Sequence, residues 1–249
     1  MQKKTLPKPK SEIIRPEISR FPELTLRRRI FRSLLKWLAQ CLVWLCLKVQ
    51  IKGQENFPLS GASLVAANHL GDADVILGIA LSPRPLEFIM KAEIYDFPIL
   101  GWIFNQYGVI WIHRGQPDRR ALRAALQTLE HNRMVCITPE GRESLSGSLE
   151  EGTRGAAFLA LKSQAPILPI TYTQTENWRI LENLKHFKKT EITITIGNTF
   201  ALQIDPSQKD KLDAGTREIM QRLASQLPEH YRGAYQNIED SKNDGQWSG

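Results

Sequence analysis

The sequence predicts an α/β fold, a sheet with helices on its faces, on three observations. Short apolar runs bounded by Gly, Pro, Asn or Asp alternate with stretches whose apolar residues recur every three to four positions. Several of those runs end on a histidine, an arginine or a Pro-Glu-Gly bend, where a strand gives way to a turn or helix. The length of 249 residues and the 42% hydrophobic content suit one domain plus an appendage.

The appendage comes first. Residues 1–22 are polar and basic, with Pro7, Pro9, Pro16 and Pro22, and are expected to be disordered. Over 24–51, Ile30, Phe31, Leu34, Leu35, Leu38, Leu42 and Leu45 fall at helical steps, while Arg27, Arg28, Arg29, Arg32 and Lys36 load the first turns. The longest uncharged run, 37–47, has 11 residues, well short of the roughly 20 that cross a bilayer. Charge and apolar surface coincide in this segment. It therefore reads as a helix lying in a membrane interface, with Trp37 and Trp44 at headgroup level and the arginines on anionic phosphates. The competing reading is a helix packed on the domain with a solvated basic end. Residues 1–36 hold eleven Lys/Arg against three Asp/Glu, more than the whole net charge of +7. The globular body is thus not basic, and no nucleic-acid partner is expected.

After a turn at Lys52 to Pro58, strands are expected over 64–67, 86–91, 108–112, 134–138, 166–170 and 191–196. Helices are expected from Val75 onward and over 117–132, 155–163 and 216–227, with a short apolar helix or loop over 98–104. The tail over 237–249 is polar and expected to be disordered. Cys41, Cys46 and Cys136 lie in apolar stretches with no metal-ligand spacing and read as buried thiols in a reducing compartment. The first apolar run lacks a small-residue cleavage site, so no secretory signal is evident.

The chemistry concentrates at strand ends. His69 follows the 64–67 strand and Asp74 stands five residues on. An imidazole can take a hydroxyl's proton if a carboxylate holds its other nitrogen. Positions five apart differ by about 140° on a helix, so the pair meets only if His69 lies in the turn before the helix, which Gly71 permits. Asp72 is the competing carboxylate, and both aspartates also read as helix-capping residues. Arg114, after the 108–112 strand, offers a planar fork suited to phosphate; the ordinary reading is a solvated arginine. Thr138-Pro139-Glu140-Gly141-Arg142 brings a carboxylate and free backbone N–H groups to the same edge if the sheet is parallel there. Lys91 is a further cationic candidate, against an ordinary surface lysine. A base, a cation and a turn of donors describe transfer onto a hydroxyl near a phosphate. The absence of GxSxG, GxxxxGK[ST] and GxGxxG argues against an acyl-serine route, nucleotide hydrolysis and dinucleotide redox chemistry.

Taken in order, these motifs resemble the glycerolipid acyltransferases, in particular bacterial 1-acylglycerol-3-phosphate acyltransferases. Asn68-His69 through Asp74 resembles that family's NHxxxxD block, 108–114 its second, Pro139-Glu140-Gly141 its third and 165–170 its fourth. The resemblance implies a mixed, largely parallel sheet flanked by helices over 52–236, with the amphipathic segment over 23–51 contacting the membrane. It further implies His69 as general base with Asp74 as partner, and Arg114, Glu140, Gly141 and Arg142 in the acceptor headgroup site. Lys91 would assist near the thioester oxygen. The donor would be acyl-CoA or acyl carrier protein, with no cofactor or metal, and the acceptor a lysophospholipid or another hydroxyl such as glycerol 3-phosphate, a glycolipid or a carotenoid glycoside. The enzyme would work in the cytoplasm, peripheral or monotopic on an anionic membrane. A membrane-binding module without catalysis is the reading from another class. Two departures stand out: His113 replaces a customary Asp, and Arg142-Glu143-Ser144 replaces Thr-Arg-Ser, so Glu143 takes an arginine's slot.

Overall fold

The computed structural model describes residues 15–115, 117–204 and 208–236. Thr25 caps the first helix, α1 (Leu26–Cys46), its hydroxyl accepting the Arg28 N–H. The chain then passes without a loop into a strand, β1 (Leu47–Lys52). Helix was expected through residue 51, but Leu47, Val49 and Ile51 alternate with Lys48, Gln50 and Lys52, and this period of two wins because β1 has a partner to pair with. That partner is β7 (Thr190–Ile196), parallel to it from Leu47↔Thr190 to Lys52↔Thr195.

The remaining elements are β2 (Ser63–Ala67), α2 (Ala73–Leu81), β3 (Leu86–Lys91), α3 (Pro98–Tyr107), β4 (Ile110–Ile112), α4 (Arg119–Glu130), β5 (Met134–Ile137), α5 (Arg154–Ser163), β6 (Ile167–Thr173), α6 (Asn177–Lys185) and α7 (Lys211–Gln226). Seven strands form one sheet in the order β1-β7-β6-β2-β5-β3-β4. Among the described strands only the β6–β7 pairing is antiparallel, so β1 and β7 run against the other five. The mixed, largely parallel architecture expected from the sequence is the one observed.

β2 lies at the centre and all five of its residues are buried. Its alternate side chains feed two cores. Val65 and Ala67 pack with Leu77, Tyr107 and Val43 under α1, α2 and α3; Leu64 and Ala66 pack with Ala125, Ala156 and Met220 under α4, α5 and α7. A strand apolar on both faces is what a helix-covered parallel sheet requires.

The basic N-terminal segment is partly turned inward, contrary to expectation. Arg32 is buried, with Nη1 donating to Glu87 Oε1 at 2.7 Å and Nε to the Tyr107 carbonyl at 2.6 Å. Arg133 donates to the same carboxylate, so Glu87 bridges two guanidiniums and ties α1 to β3 and β5. Arg28 is spent on the carbonyls of Glu23, Asn105 and Gln106. Arginines reach such sites because a carboxylate or bare carbonyls await them, which a charge run does not disclose. Residues 15–22, expected to be disordered, are docked: Ile18, Ser19 and Pro22 are buried, the Arg15 N–H donates to His113 Nε2 at 2.9 Å, and Ser19 Oγ to Asp118 Oδ2 at 3.0 Å. The rest of that expectation, 1–14, and the tail over 237–249 fall outside the described residues.

The outer face of α1 is apolar. Leu26, Ile30, Trp37, Trp44 and Leu45 are exposed, as are Phe97, Ile99 and Trp102 at α3, and Phe31 meets Trp102 edge-on between the two helices. Cys41 is exposed and Cys46 half-buried, so only Cys136 is the buried thiol expected of all three. Among the described residues no helix is long and apolar enough to cross a membrane. Arg32→Ala is expected to destabilise the protein by about 3–5 kcal/mol in urea unfolding, since it leaves Glu87 buried beside one guanidinium instead of two. A loss below about 1 kcal/mol would show that the bridge does not hold α1 to the sheet.

Candidate active site

Five parallel strands point the same way, so the residues following β2, β3, β4, β5 and β6 collect along one edge of the sheet. Asn68 extends β2 by side chain: its Nδ2 donates to the Tyr172 carbonyl at 3.0 Å and its Oδ1 accepts the Tyr172 N–H at 2.8 Å. This clamp on β6 fixes where the next residue, His69, leaves the sheet.

His69 lies in the turn before α2, as the spacing required. Its Nδ1 is 2.9 Å from Asp74 Oδ2, and that oxygen also accepts the Leu70 N–H at 2.8 Å and the Gly71 N–H at 3.1 Å. Gly71 is obligatory, because a Cβ there would stand 2.4 Å from the Thr175 carbonyl oxygen. The ionised carboxylate only accepts, so Nδ1 carries the proton and Nε2 presents its lone pair. Nε2 has no protein partner among the described residues, and the side chain is 21% exposed. Asp72, the competing carboxylate, turns instead to Asn177, whose Nδ2 is 3.3 Å from Asp72 Oδ2 and whose Oδ1 accepts the Asp72 N–H.

Glu140 supports the same turn from β5. Its Oε1 accepts the His69 N–H at 3.1 Å and its Oε2 the Glu150 N–H at 2.8 Å, while the Ser144 N–H donates to the His69 carbonyl at 2.8 Å. Burial pushes the Glu140 carboxyl up to about 7, opposed by those two N–H donors and the His69 charge. Gly141 occupies the left-handed region, φ +74°, and closes the bend with its N–H on the Thr138 carbonyl. Glu140 thus holds the histidine's backbone, and Gly141 closes the bend that presents it.

The cations spread further than expected. Lys91 ends β3, two strands from β2, which is about 10 Å at ordinary strand spacing. Arg114 follows β4, three strands or about 14 Å away, half-exposed and paired with Glu93 at 3.2 Å. Arg142 swings outward onto Glu150 at 2.7 Å. Sequence reasoning gave all three the right edge but not the strand order that separates them.

Two participants were not singled out as site residues. Glu143 Oε1 accepts from Asn177 Nδ2 at 3.2 Å, and Asn177 begins α6, a helix absent from the sequence expectations. Trp178, Leu181 and Leu184 at helical steps were the signal for it. Burial raises the Glu143 carboxyl, as do Asp72 and Asp74, against the His69 and Lys91 charges. Burial pulls the His69 pKa down, but the Asp74 hydrogen bond and the charges of Asp74, Glu143 and Glu140 more than offset it, leaving it raised. The arrangement can withdraw a proton at Nε2 and stabilise the imidazolium that results.

A protein-family model described as Acyltransferase matches residues 48–173, just over half the chain and the part that holds every candidate residue named from the sequence. The chain is 30% identical to the chloroplast 1-acyl-sn-glycerol-3-phosphate acyltransferase LPAT1 of Arabidopsis thaliana over 60% of this chain and 42% of that protein. It is 28% identical to the 1-acyl-sn-glycerol-3-phosphate acyltransferase of Borreliella burgdorferi over 55% and 56% of the two chains. A lyso-ornithine lipid O-acyltransferase of Pseudomonas aeruginosa is 31% identical over 58% and 54%. The chain thus spans about half the length of the curated relatives it matches. The crystal structure of PlsC, the 1-acyl-sn-glycerophosphate acyltransferase of Thermotoga maritima, superposes with a TM-score of 0.59 at 21% identity over 80% of this chain and 81% of that one, a likeness of fold.

In an NMR titration, the His69 ring is expected to change charge above the ordinary histidine value of 6.5. Asp74→Asn should move that midpoint down, because it removes the charge while keeping the shape. An unchanged midpoint in the variant would mean the aspartate does not govern the imidazole.

Proposed function

Because the chain belongs to the acyltransferase family, we propose that it moves a fatty acyl group from an acyl thioester, carried by CoA or acyl carrier protein, to a hydroxyl of a lysophospholipid-like acceptor. The reading rests on one observation: His69 Nδ1 is held 2.9 Å from Asp74 while Nε2 has no hydrogen-bond partner among the described residues and the side chain is 21% exposed. The acceptor O–H gives its proton to Nε2 as its oxygen attacks the thioester carbonyl carbon. The tetrahedral adduct then expels the thiolate, which takes the proton back from the imidazolium, leaving an ester and a free thiol. Asp74 orients the ring and stabilises its charged form. Lys91, exposed at the end of β3, would assist near the thioester oxygen.

The base works unprotonated, and its pKa is raised, so activity should fall as pH drops through a midpoint above 6.5. Asp74→Asn should shift this acid limb to lower pH and slow turnover. His69→Ala should lose about 10²- to 10⁴-fold in acyl transfer with vesicle binding intact. Full activity in the alanine variant would remove the mechanism, whereas wild-type protein that binds vesicles and transfers no acyl group would leave the membrane-binding module as the reading.

A second reading of the acceptor is favoured by Glu143. The mouth around His69 carries Asp72, Asp74, Glu140 and Glu143, whereas Arg114 and Arg142 are occupied by Glu93 and Glu150. A doubly negative phosphate monoester meets repulsion there, and a headgroup bearing an ammonium group meets attraction. The relative named as a lyso-ornithine lipid O-acyltransferase acts on such a chemistry by its name. A panel of purified lyso-lipids separates the two. If the second reading holds, wild type prefers the amine-bearing acceptor and Glu143→Arg shifts the preference toward 1-acylglycerol 3-phosphate; an arginine variant with unaltered preference contradicts it.

The acceptor is a lipid, and the exposed apolar faces of α1 and α3 supply a surface on which the protein can lie on a membrane. Trp37→Asp with Ile99→Asp is expected to release the protein from anionic vesicles in a sedimentation assay while transfer between water-soluble short-chain substrates continues.

A further inference from the structure

At the opposite edge of the sheet, where the parallel strands begin, a cleft of about 310 Å³ opens beneath the first turns of α1. Its lining includes Arg29, Arg32, Lys36, Arg84 and Arg133, against one carboxylate, Glu87. β2 separates this edge from His69 by five residues, about 16 Å of strand, so the cleft is no part of the catalytic mouth.

The positive charge is concentrated and largely uncompensated. Glu87, 1% exposed, neutralises one of the two guanidiniums it bridges. Lys36 donates to the Ser82 carbonyl at 2.8 Å, and Arg84 to the carbonyls of Pro58, Gly61 and Asn132, contacts that fix their position without cancelling their charge. Arg29 is exposed, with no side-chain hydrogen-bond partner among the described residues. Burial holds the Arg133 and Arg84 guanidiniums below their ordinary value, the direction expected of cations brought out of water. Leu24, Ile79 and Met134 add apolar wall.

We propose that this cleft is a second binding site, for a phosphate-bearing ligand, in which Arg29, Lys36 and Arg84 face the phosphate oxygens and the apolar wall receives whatever the phosphate is attached to. The guanidinium fork suits phosphate geometry, and a surplus of four positive charges selects a multiply charged anion over a carboxylate. Two sources share this chemistry, an acidic phospholipid headgroup and free phosphate. The cleft lies against α1, whose other side is the exposed apolar face, so a lipid could reach it from the same surface.

The test uses the full chain and monomeric probes: short-chain phosphatidate below its micelle concentration, inorganic phosphate, and short-chain phosphatidylcholine, titrated calorimetrically. Two variants leave the catalytic mouth untouched. Ser33→Glu places a negative charge on the cleft's exposed rim, where the native hydroxyl only bonds back to its own helix; Arg29→Ala with Lys36→Ala removes two cations. Both should keep the wild-type circular dichroism spectrum and weaken phosphatidate binding about tenfold or more. Phosphatidate binding tighter than inorganic phosphate identifies the lipid as the source, and equal affinity identifies free phosphate; either supports the site. Ligand held at the His69 mouth would not respond to these substitutions. An isotherm unchanged in both variants, or wild type that binds neither phosphate probe, overturns the proposal.

Discussion

A single carboxylate oxygen organises the sheet edge that carries His69. Asp74 Oδ2 accepts from the His69 ring and from the Leu70 and Gly71 backbone at once. The two backbone bonds fold the turn that places His69 ahead of α2 rather than on it, and the third fixes the ring that the turn delivers. Because one oxygen serves both purposes, the turn cannot open without loosening the imidazole. Asp74 itself is buried in the first turn of α2, near the positive end of the helix dipole, where a negative charge is favoured.

The rest of the sheet supplies that oxygen with a rigid frame. Asn68 pins the end of β2 to β6, Glu140 pins the His69 N–H from β5, and the Ser144 N–H meets the His69 carbonyl. The histidine's backbone is therefore bonded at both its N–H and its carbonyl to the segment after β5, while the residue before it is bonded to β6. Asn177 links Asp72 and Glu143 from α6, so that helix also borders the mouth.

Local features were legible in the sequence, and long-range ones were not. The His69–Asp74 spacing together with Gly71 foretold the turn, because five residues on a helix would have set the two side chains apart. Strand positions followed from apolar runs, and only the antiparallel step at β7 and the docking of β1 required partners that no local pattern names. Arg32 and Arg28 looked like surface charges because a run of basic residues on a helix records periodicity, not which face meets a buried Glu87 or a row of free carbonyls. Arg114 and Lys91 were grouped with His69 because each ends a strand; the strand order, β2-β5-β3-β4, then spaces them along the edge. Glu140 was grouped with the headgroup site, and the structure adds that its carboxyl is buried on two backbone N–H groups, a use that a Pro-Glu-Gly motif alone does not reveal.

The negative charge gathered around His69 sets the terms of its chemistry. Each carboxylate that raises the imidazole's pKa makes it a stronger base and, near neutral pH, a scarcer one, since more of it is already protonated. Burial acts in the other direction by disfavouring the imidazolium. Glu140 eases the conflict: burial lifts its carboxyl to about 7, so near neutrality it carries only part of a charge and its pull on the ring is less than a fully ionised neighbour would exert. As His69 takes a proton, its positive charge favours ionisation of Glu140, and the newly formed carboxylate in turn stabilises the imidazolium. The titrations of the two groups are coupled, so the glutamate that holds the histidine's backbone carries more charge when the ring is protonated than when it is neutral.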